Sequence, residues 1–213
     1  MNATPPLDLI IVVAGKDDRE SLDGLLSSRR KSLGIRDIRY EILVHVRRDS
    51  GCFREAPALL QTFQRRASRA LVVFDHEGSG QEARPAEEVT SDLRDRLRRS
   101  GWGDRAEVII IRPELEVWVW SDSLHVDAVL GWKGRKPPLR EWLRNHGLWP
   151  RDHLKPPDPR KSLLEALREA QMQKSSALYR RLAETVSLKY CQDEGFKRLK
   201  EILRSWFPEQ EGS

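Results

Sequence analysis

Cysteine is scarce in this chain: Cys52 and Cys191 are the only two among 213 residues, and neither has a partner at the spacing of a zinc site or a redox motif. A disulfide framework therefore has no support, and reduced thiols in a cytoplasmic protein are the simplest expectation. Long apolar runs are missing as well. None approaches the roughly 18 to 20 residues a membrane span needs, so no membrane partner is expected. The opening stretch "MNATPPLDLIIVVAGKDD" has no basic residues ahead of its apolar run, which argues against a secretory signal. There is no phosphate-loop signature G-x-x-x-x-G-K-[ST], which disfavours nucleotide hydrolysis of that type. The five histidines form no HExxH pattern, so catalytic zinc is not expected. Internal repeats and low-complexity tracts are absent too.

What is present is charge, unevenly spread. Residues 1–130 hold 20 Lys and Arg against 22 Asp and Glu, whereas residues 131–213 hold 18 against 11. The overall net charge of +5 is therefore carried by the C-terminal part. A basic excess of this kind suits a phosphate-bearing partner, and it equally suits a set of solvated helix faces.

The first part alternates strand and helix signals. "LDLIIVVA" (residues 7–14) is a continuous, β-branched apolar run of the kind buried on both faces of a sheet. "SLDGLLSSRRKSLG" has leucines at helical spacing. "IRYEILVHV" alternates as a second strand, and "EAPALLQTFQRRAS" reads as a helix leading into the strand "ALVVFD". "PAEEVTSDLRDRLRRSG" is a helix opened by Pro85 and closed by Gly101. A fourth apolar strand follows in "AEVIIIRPELEVWVWSD", punctuated by Pro113. This order predicts an α/β layer with a mainly parallel sheet flanked by helices over residues 1–130. Residues 131–213 read as a helical, basic, Pro- and Trp-containing region: six of twelve prolines and three of seven tryptophans fall between Gly131 and Pro159, followed by three helical segments.

In an open parallel sheet, ligands bind at the carboxyl edge of the strands. Four places bring acidic residues there: Asp17 and Asp18, Asp75 with Glu77, Glu114 with Glu116, and Asp122 a little beyond. Carboxylates arriving from separate strands repel one another unless a cation lies between them, and Mg²⁺, with Mn²⁺ as a substitute, is the usual one. The metal reading takes Asp75, Glu77 and Glu116 as ligands and catalytic residues, assisted by Asp18 or Glu114. The competing reading of Asp75-His76-Glu77-Gly78-Ser79-Gly80 is a turn, which the same residue types favour. Arg47, Arg48 and Arg112 lie near the same edge and are candidates to pair with the carboxylates and silence them.

The stretches "VVAGKDDRESLDGLL", "VVFDHEGSG" and "RPELEVWVWSD", in this order and spacing, resemble the Toprim fold, the metal-binding module of topoisomerases, primases and related nucleases. The resemblance implies that Asp75 and Glu77 match the family's acidic pair and that Glu116 with Trp118 matches its Pro-x-x-Glu-x-Trp element. Where the family carries a glutamate near the first strand end, this chain has Ala14-Gly15, leaving Asp17 or Asp18 as substitutes. Over nearly its whole length, through "LREWL", "GLWP" and "SSALYRRLAETVSL", the chain is also similar to a small protein family of methylation-associated bacterial anti-phage defence systems. That resemblance implies action on or sensing of nucleic acid, with other defence proteins as partners. Two functional readings follow: an Mg-dependent, nuclease-like domain, or a non-catalytic Toprim-derived module that binds partner proteins.

For a nucleic-acid surface the candidates are Lys133, Arg135, Lys136, Arg140 and Arg144, with Trp142 among them to stack on bases. Tryptophans beside prolines also serve to fix an irregular segment to a sheet. Trp118 and Trp120, two apart on an apolar run, are expected in the core.

Overall fold

The computed structural model describes residues 6–121, 123–188 and 191–209 of the protein, so Asp122 lies outside the described residues. Four strands, β1 (Leu7–Val13), β2 (Tyr40–Val44), β3 (Ala67–Asp75) and β4 (Ala106–Ile111), form an all-parallel sheet in the order β2-β1-β3-β4. The α/β class and the parallel sheet flanked by helices agree with the Toprim-like expectation.

The two central strands are the continuous apolar runs of the sequence, because both their faces are covered. Register places Ile11 beside Ile42 on one side and Leu71 on the other, and Val72 beside Val108. Residues of one parity (Leu9, Ile11, Val13, Leu71, Val73) point into one core, and those of the other (Ile10, Val12, Val72, Phe74) into a second. The first core is shared with α1 (Lys16–Ser28), while the second is closed by α3 (Arg48–Gln61) and α4 (Ala86–Leu97). A four-residue helix, α2 (Arg30–Leu33), follows α1.

The helices fall on opposite faces for a topological reason. From β1 the chain moves outward one way to β2, then returns past β1 to β3. Two right-handed crossovers running in opposite directions must use opposite faces. The loops after β1 and β3 therefore diverge, opening a crevice between those strands at their carboxyl ends.

The C-terminal helices are α5 (Leu124–Val129), α6 (Leu139–Asn145), α7 (Pro159–Glu169), α8 (Ser176–Thr185) and α9 (Glu194–Trp206). They add no strand among the described residues beyond an isolated bridge between Ile35 and Pro208. Their apolar faces, through Leu163, Leu167, Leu178, Leu182, Phe196 and Leu199, join the first core. Helix α8 lies against α1, close enough that a Cβ at Gly24 would come within 3.0 Å of the Arg180 carbonyl oxygen. Arg29 fastens the pair by donating to the carbonyls of Glu184 and Val186 at 2.8 and 2.9 Å.

One expectation fails. The fourth apolar run does not continue as a strand through Trp120: β4 stops at Ile111, and Leu115–Trp118 form a 3₁₀ turn. Pro113 brings no N–H to a continuing ladder. Trp118 and Trp120 consequently serve different neighbours. Trp118 packs on Phe196 and donates to Asp193, while Trp120 packs on Trp149 and donates to the Pro159 carbonyl.

Candidate metal centre

The crevice between β1 and β3 collects the acidic residues. Asp75 is the last residue of β3. Beyond it, sheet-like pairing persists for one more step, as His76 N–H donates to the Ile111 carbonyl at 2.9 Å and Glu77 N–H to that of Pro113 at 3.1 Å. This pairing brings the segment after β4 alongside Asp75, and the turn at Leu115 then directs both Glu114 and Glu116 inward. Asp75, Glu114 and Glu116 are all buried, and each offers an oxygen within 4.8 Å of the others'. Asp18, in the first turn of α1, is buried at the same crevice. Gly15 leaves room beside it, since a Cβ there would stand 3.1 Å from Asp18 Oδ2 and press the carboxylate aside by a few tenths of an ångström. Asp49, in the first turn of α3, accepts the Asp75 N–H at 2.9 Å.

Packing so many carboxyls into a buried place raises their affinity for protons. Burial is the largest cause at Asp75, pushing its carboxyl well above the usual range, and the charges of Asp18, Asp49, Glu116 and Glu114 push further. Asp18 is pushed up to about 7 by burial and by Asp49, against backbone hydrogen bonds that favour its ionised form. Glu114 is also pushed to about 7, by burial and by Glu116, with Arg160 opposing. Burial raises Asp49 as well.

Even so, the protein does not satisfy them all. Asp18 Oδ1, Asp75 Oδ1 and Glu116 Oε2 are buried and meet no hydrogen-bond donor of the chain. Unsatisfied buried acceptors are uncommon, and two of these three, on Asp75 and Glu116, belong to the carboxylate group whose oxygens lie within 4.8 Å of one another, as a cation with oxygen ligands requires. Asp75, Glu114 and Glu116 are thus able to hold a metal ion.

The counter-charges come from the C-terminal part. Arg160 in α7 pairs with Glu114 at 2.8 Å and Glu116 at 3.6 Å, and its N–H donates to Glu114 Oε1 at 3.1 Å. Lys174 pairs with Asp17 at 2.9 Å and Glu116 at 3.4 Å. The Tyr179 hydroxyl donates to Glu116 Oε1 at 2.6 Å, and Ser176 donates to Asp17 at 2.6 Å. Around them is a cleft of about 650 Å³ whose lining includes Lys16, Arg48, Asp18, Asp49, Asp75 and Glu116.

Of the residues expected here, Asp75, Glu114, Glu116 and Asp18 converge. Glu77 is exposed and stands outside the three-carboxylate set, reaching it only through its charge on Glu114. The partner of Asp75 in the set is the Glu114–Glu116 turn, not the residue two positions along. Ala14 is buried, Asp17 is engaged by Lys174 and Ser176, and Asp18 is buried at the cleft. Arg47 pairs instead with Glu55, and Arg112 with Glu87 and Glu194; the cations on the glutamates are Arg160 and Lys174. Sequence reasoning missed these two and the acidic role of Asp49. Asp49 did carry a signal, since it follows a strand end as Asp18 and Asp75 do.

In the basic segment Lys133, Arg135 and Lys136 are exposed, while Arg140, Arg144 and Trp142 are half-buried. Trp142 stacks on His146 with centroids 4.0 Å apart and leans on Trp132, and Arg140 lies over Trp149. Among the described residues no helix is long and apolar enough to cross a membrane. Comparison of the chain with protein-family models, curated proteins and solved structures gave no match.

Proposed function

We propose that the protein is a divalent-cation-dependent enzyme of nucleic-acid phosphodiester chemistry, acting within a methylation-associated phage defence system alongside other defence proteins. The observation that carries this reading is the set of donor-less buried oxygens on Asp18, Asp75 and Glu116 at the sheet's switch point. Asp75, Glu114 and Glu116 are the cation's ligands. A bound Mg²⁺ supplies Lewis acidity toward a phosphoryl oxygen and makes a coordinated water easier to deprotonate. Asp18, facing the same cleft a turn beyond Ala14, is the carboxylate placed to complete the ligand set or accept a proton. Lys133, Arg135 and Lys136 offer a second, sequence-independent hold on a phosphate backbone.

The test has two arms. Adding millimolar Mg²⁺ or Mn²⁺ raises the melting temperature of the wild type, because a ligand of the folded state alone stabilises by about 2.7 kcal/mol at a hundredfold excess over Kd. The protein also cleaves single-stranded or duplex DNA only when the metal is present. Asp75→Asn with Glu116→Gln loses both properties. A melting temperature indifferent to metal removes the reading.

One observation favours a second reading. Arg160, Lys174 and Tyr179 already contact Glu114 and Glu116, so the acidic centre is partly neutralised from within. With Ala14 in place of a glutamate, that arrangement suits a non-catalytic Toprim-derived module binding partner proteins of the defence complex. A melting temperature indifferent to metal, with no cleavage of any nucleic acid, selects it.

A further inference from the structure

Resting on the metal-centre reading above, we infer that Arg160 and Lys174 form an exchangeable cationic plug: they occupy Glu114 and Glu116 until a divalent cation enters, and once displaced they hold the phosphodiester oxygens of the ligand.

Exposure separates the parts that can move from those that cannot. The Arg160 side chain is 51% exposed and that of Lys174 33%, whereas the Glu114 and Glu116 side chains they meet are 5% and 2% exposed. The carboxylates are fixed by their surroundings, and the cations reach them from the solvent side on long, flexible stems. Arg160 projects from the first turn of α7, and Lys174 from the irregular segment between α7 and α8, so either side chain can swing without moving a sheet residue.

Charge balance favours exchange over simple addition. One divalent ion brings the two positive charges that the guanidinium and ammonium together supply, so replacement leaves the buried site no more charged than before. The plug is also an incomplete partner: with both cations in place, Glu116 Oε2 and Asp75 Oδ1 still lack donors. Tyr179, buried and neutral, has no charge to be displaced and keeps Glu116 Oε1 in position in either state.

The displaced groups remain at the mouth of a cleft that Lys16 and Arg48 also line. An acidic floor with a basic rim accommodates a cation and an anion bound side by side, which is the charge pattern of a metal-bound phosphodiester. Arginine's planar fork matches two phosphate oxygens, and lysine adds a point charge.

Metal binding and nucleic-acid binding should respond in opposite directions. Mn²⁺ is titrated into the full-length wild type, Arg160→Gln and Lys174→Gln, and free Mn²⁺ is followed by electron paramagnetic resonance. A labelled, cleavage-resistant phosphorothioate oligo(dT) is titrated by fluorescence anisotropy with Mg²⁺ saturating. Each variant is expected to bind Mn²⁺ about tenfold more tightly and oligo(dT) about tenfold more weakly than the wild type, the scale of one charged hydrogen bond. Lys174→Gln retains Arg160 on the glutamates and keeps the test open if Arg160→Gln does not fold. Folded variants that bind Mn²⁺ no more tightly than a metal-binding wild type overturn the exchange while leaving the metal centre standing. Tighter Mn²⁺ binding with undiminished oligo(dT) affinity overturns the phosphate role. Wild type and an Arg160→Gln/Lys174→Gln double variant, titrated in the same way, that both leave Mn²⁺ free defeat the metal centre itself, whereas binding by the double variant alone supports the plug.

Discussion

Tyr179, on a helix near the C-terminal end, donates its hydroxyl hydrogen to Glu116 Oε1 at 2.6 Å, so the acidic centre of the sheet is completed by a residue 63 positions further along the chain. Arg160 and Lys174 make the same link. The C-terminal helices therefore belong to the site, and substitutions there should register in metal binding as well as in stability.

Tyr179→Phe removes the buried donor and leaves Glu116 without it. A loss of about 1 to 3 kcal/mol is expected, the scale of a buried hydrogen bond to a carboxylate, with Lys174 and Arg160 still facing the same oxygen. Chemical denaturation measures it, and saturating Mg²⁺ should recover part of the loss by giving the carboxylate a cation. A deficit that metal leaves untouched would argue that Glu116 is not a ligand.

The stability of the metal-free protein should fall as pH rises through neutrality. Asp18 and Glu114 are pushed up to about 7 and Asp75 is raised too, so the folded state keeps protons that the unfolded chain releases near its ordinary carboxylate value of about 4. Their contribution is fully present below about pH 4 and disappears as the pH climbs past about 7. Melting temperatures in a chelator, taken between pH 5 and 8, test this. Asp75→Asn should flatten the decline, and Mg²⁺ should oppose it by favouring the ionised carboxylates. A melting temperature that rises over this range contradicts the arrangement.

The basic residues around Arg135 should matter for nucleic-acid affinity and little for folding. Changing Lys133, Arg135 and Lys136 together to Gln should flatten the log-log dependence of DNA affinity on salt by up to about three units, one for each phosphate no longer neutralised. The melting temperature should barely move, since these side chains lie at the surface. Unchanged salt dependence would remove this segment from the binding surface.

Trp142→Ala should behave differently. Its ring stacks on His146 and leans on Trp132, so the substitution should lower the melting temperature. Normal melting together with a loss of single-strand binding would assign the ring to bases.

Much of the sheet was legible because its central strands are buried on both faces and must be apolar at every position, as Leu9 to Val13 are. β2, an edge strand, was legible from the alternation of Ile38, Tyr40, Ile42 and Val44 in the sequence, although all five of its residues are half-buried. The segment after Ile111 was misread because its apolar residues serve a turn packed between the sheet and the C-terminal helices, where burial no longer follows a period of two. Asp75, Glu114, Glu116 and Asp18 could be placed from strand ends alone. Arg160 and Lys174 could not, because their pairing with the glutamates depends on how α7 and α8 return across the sheet, and no local spacing encodes that. Glu77 shows the limit of reading ligands by spacing, since its N–H still pairs with the Pro113 carbonyl while its side chain is exposed to solvent.

Whether the buried carboxylates at the switch point hold a divalent cation is answered best by a crystal structure grown with Mn²⁺ and recorded at a wavelength where manganese scatters anomalously. The expected result is an anomalous peak at oxygen-coordination distance, about 2.1 Å for an Mg²⁺-like ion, from Asp75 and Glu116, with Glu114 or Asp18 also in contact. No peak there at millimolar Mn²⁺, with Arg160 and Lys174 still seated on the glutamates, would contradict it.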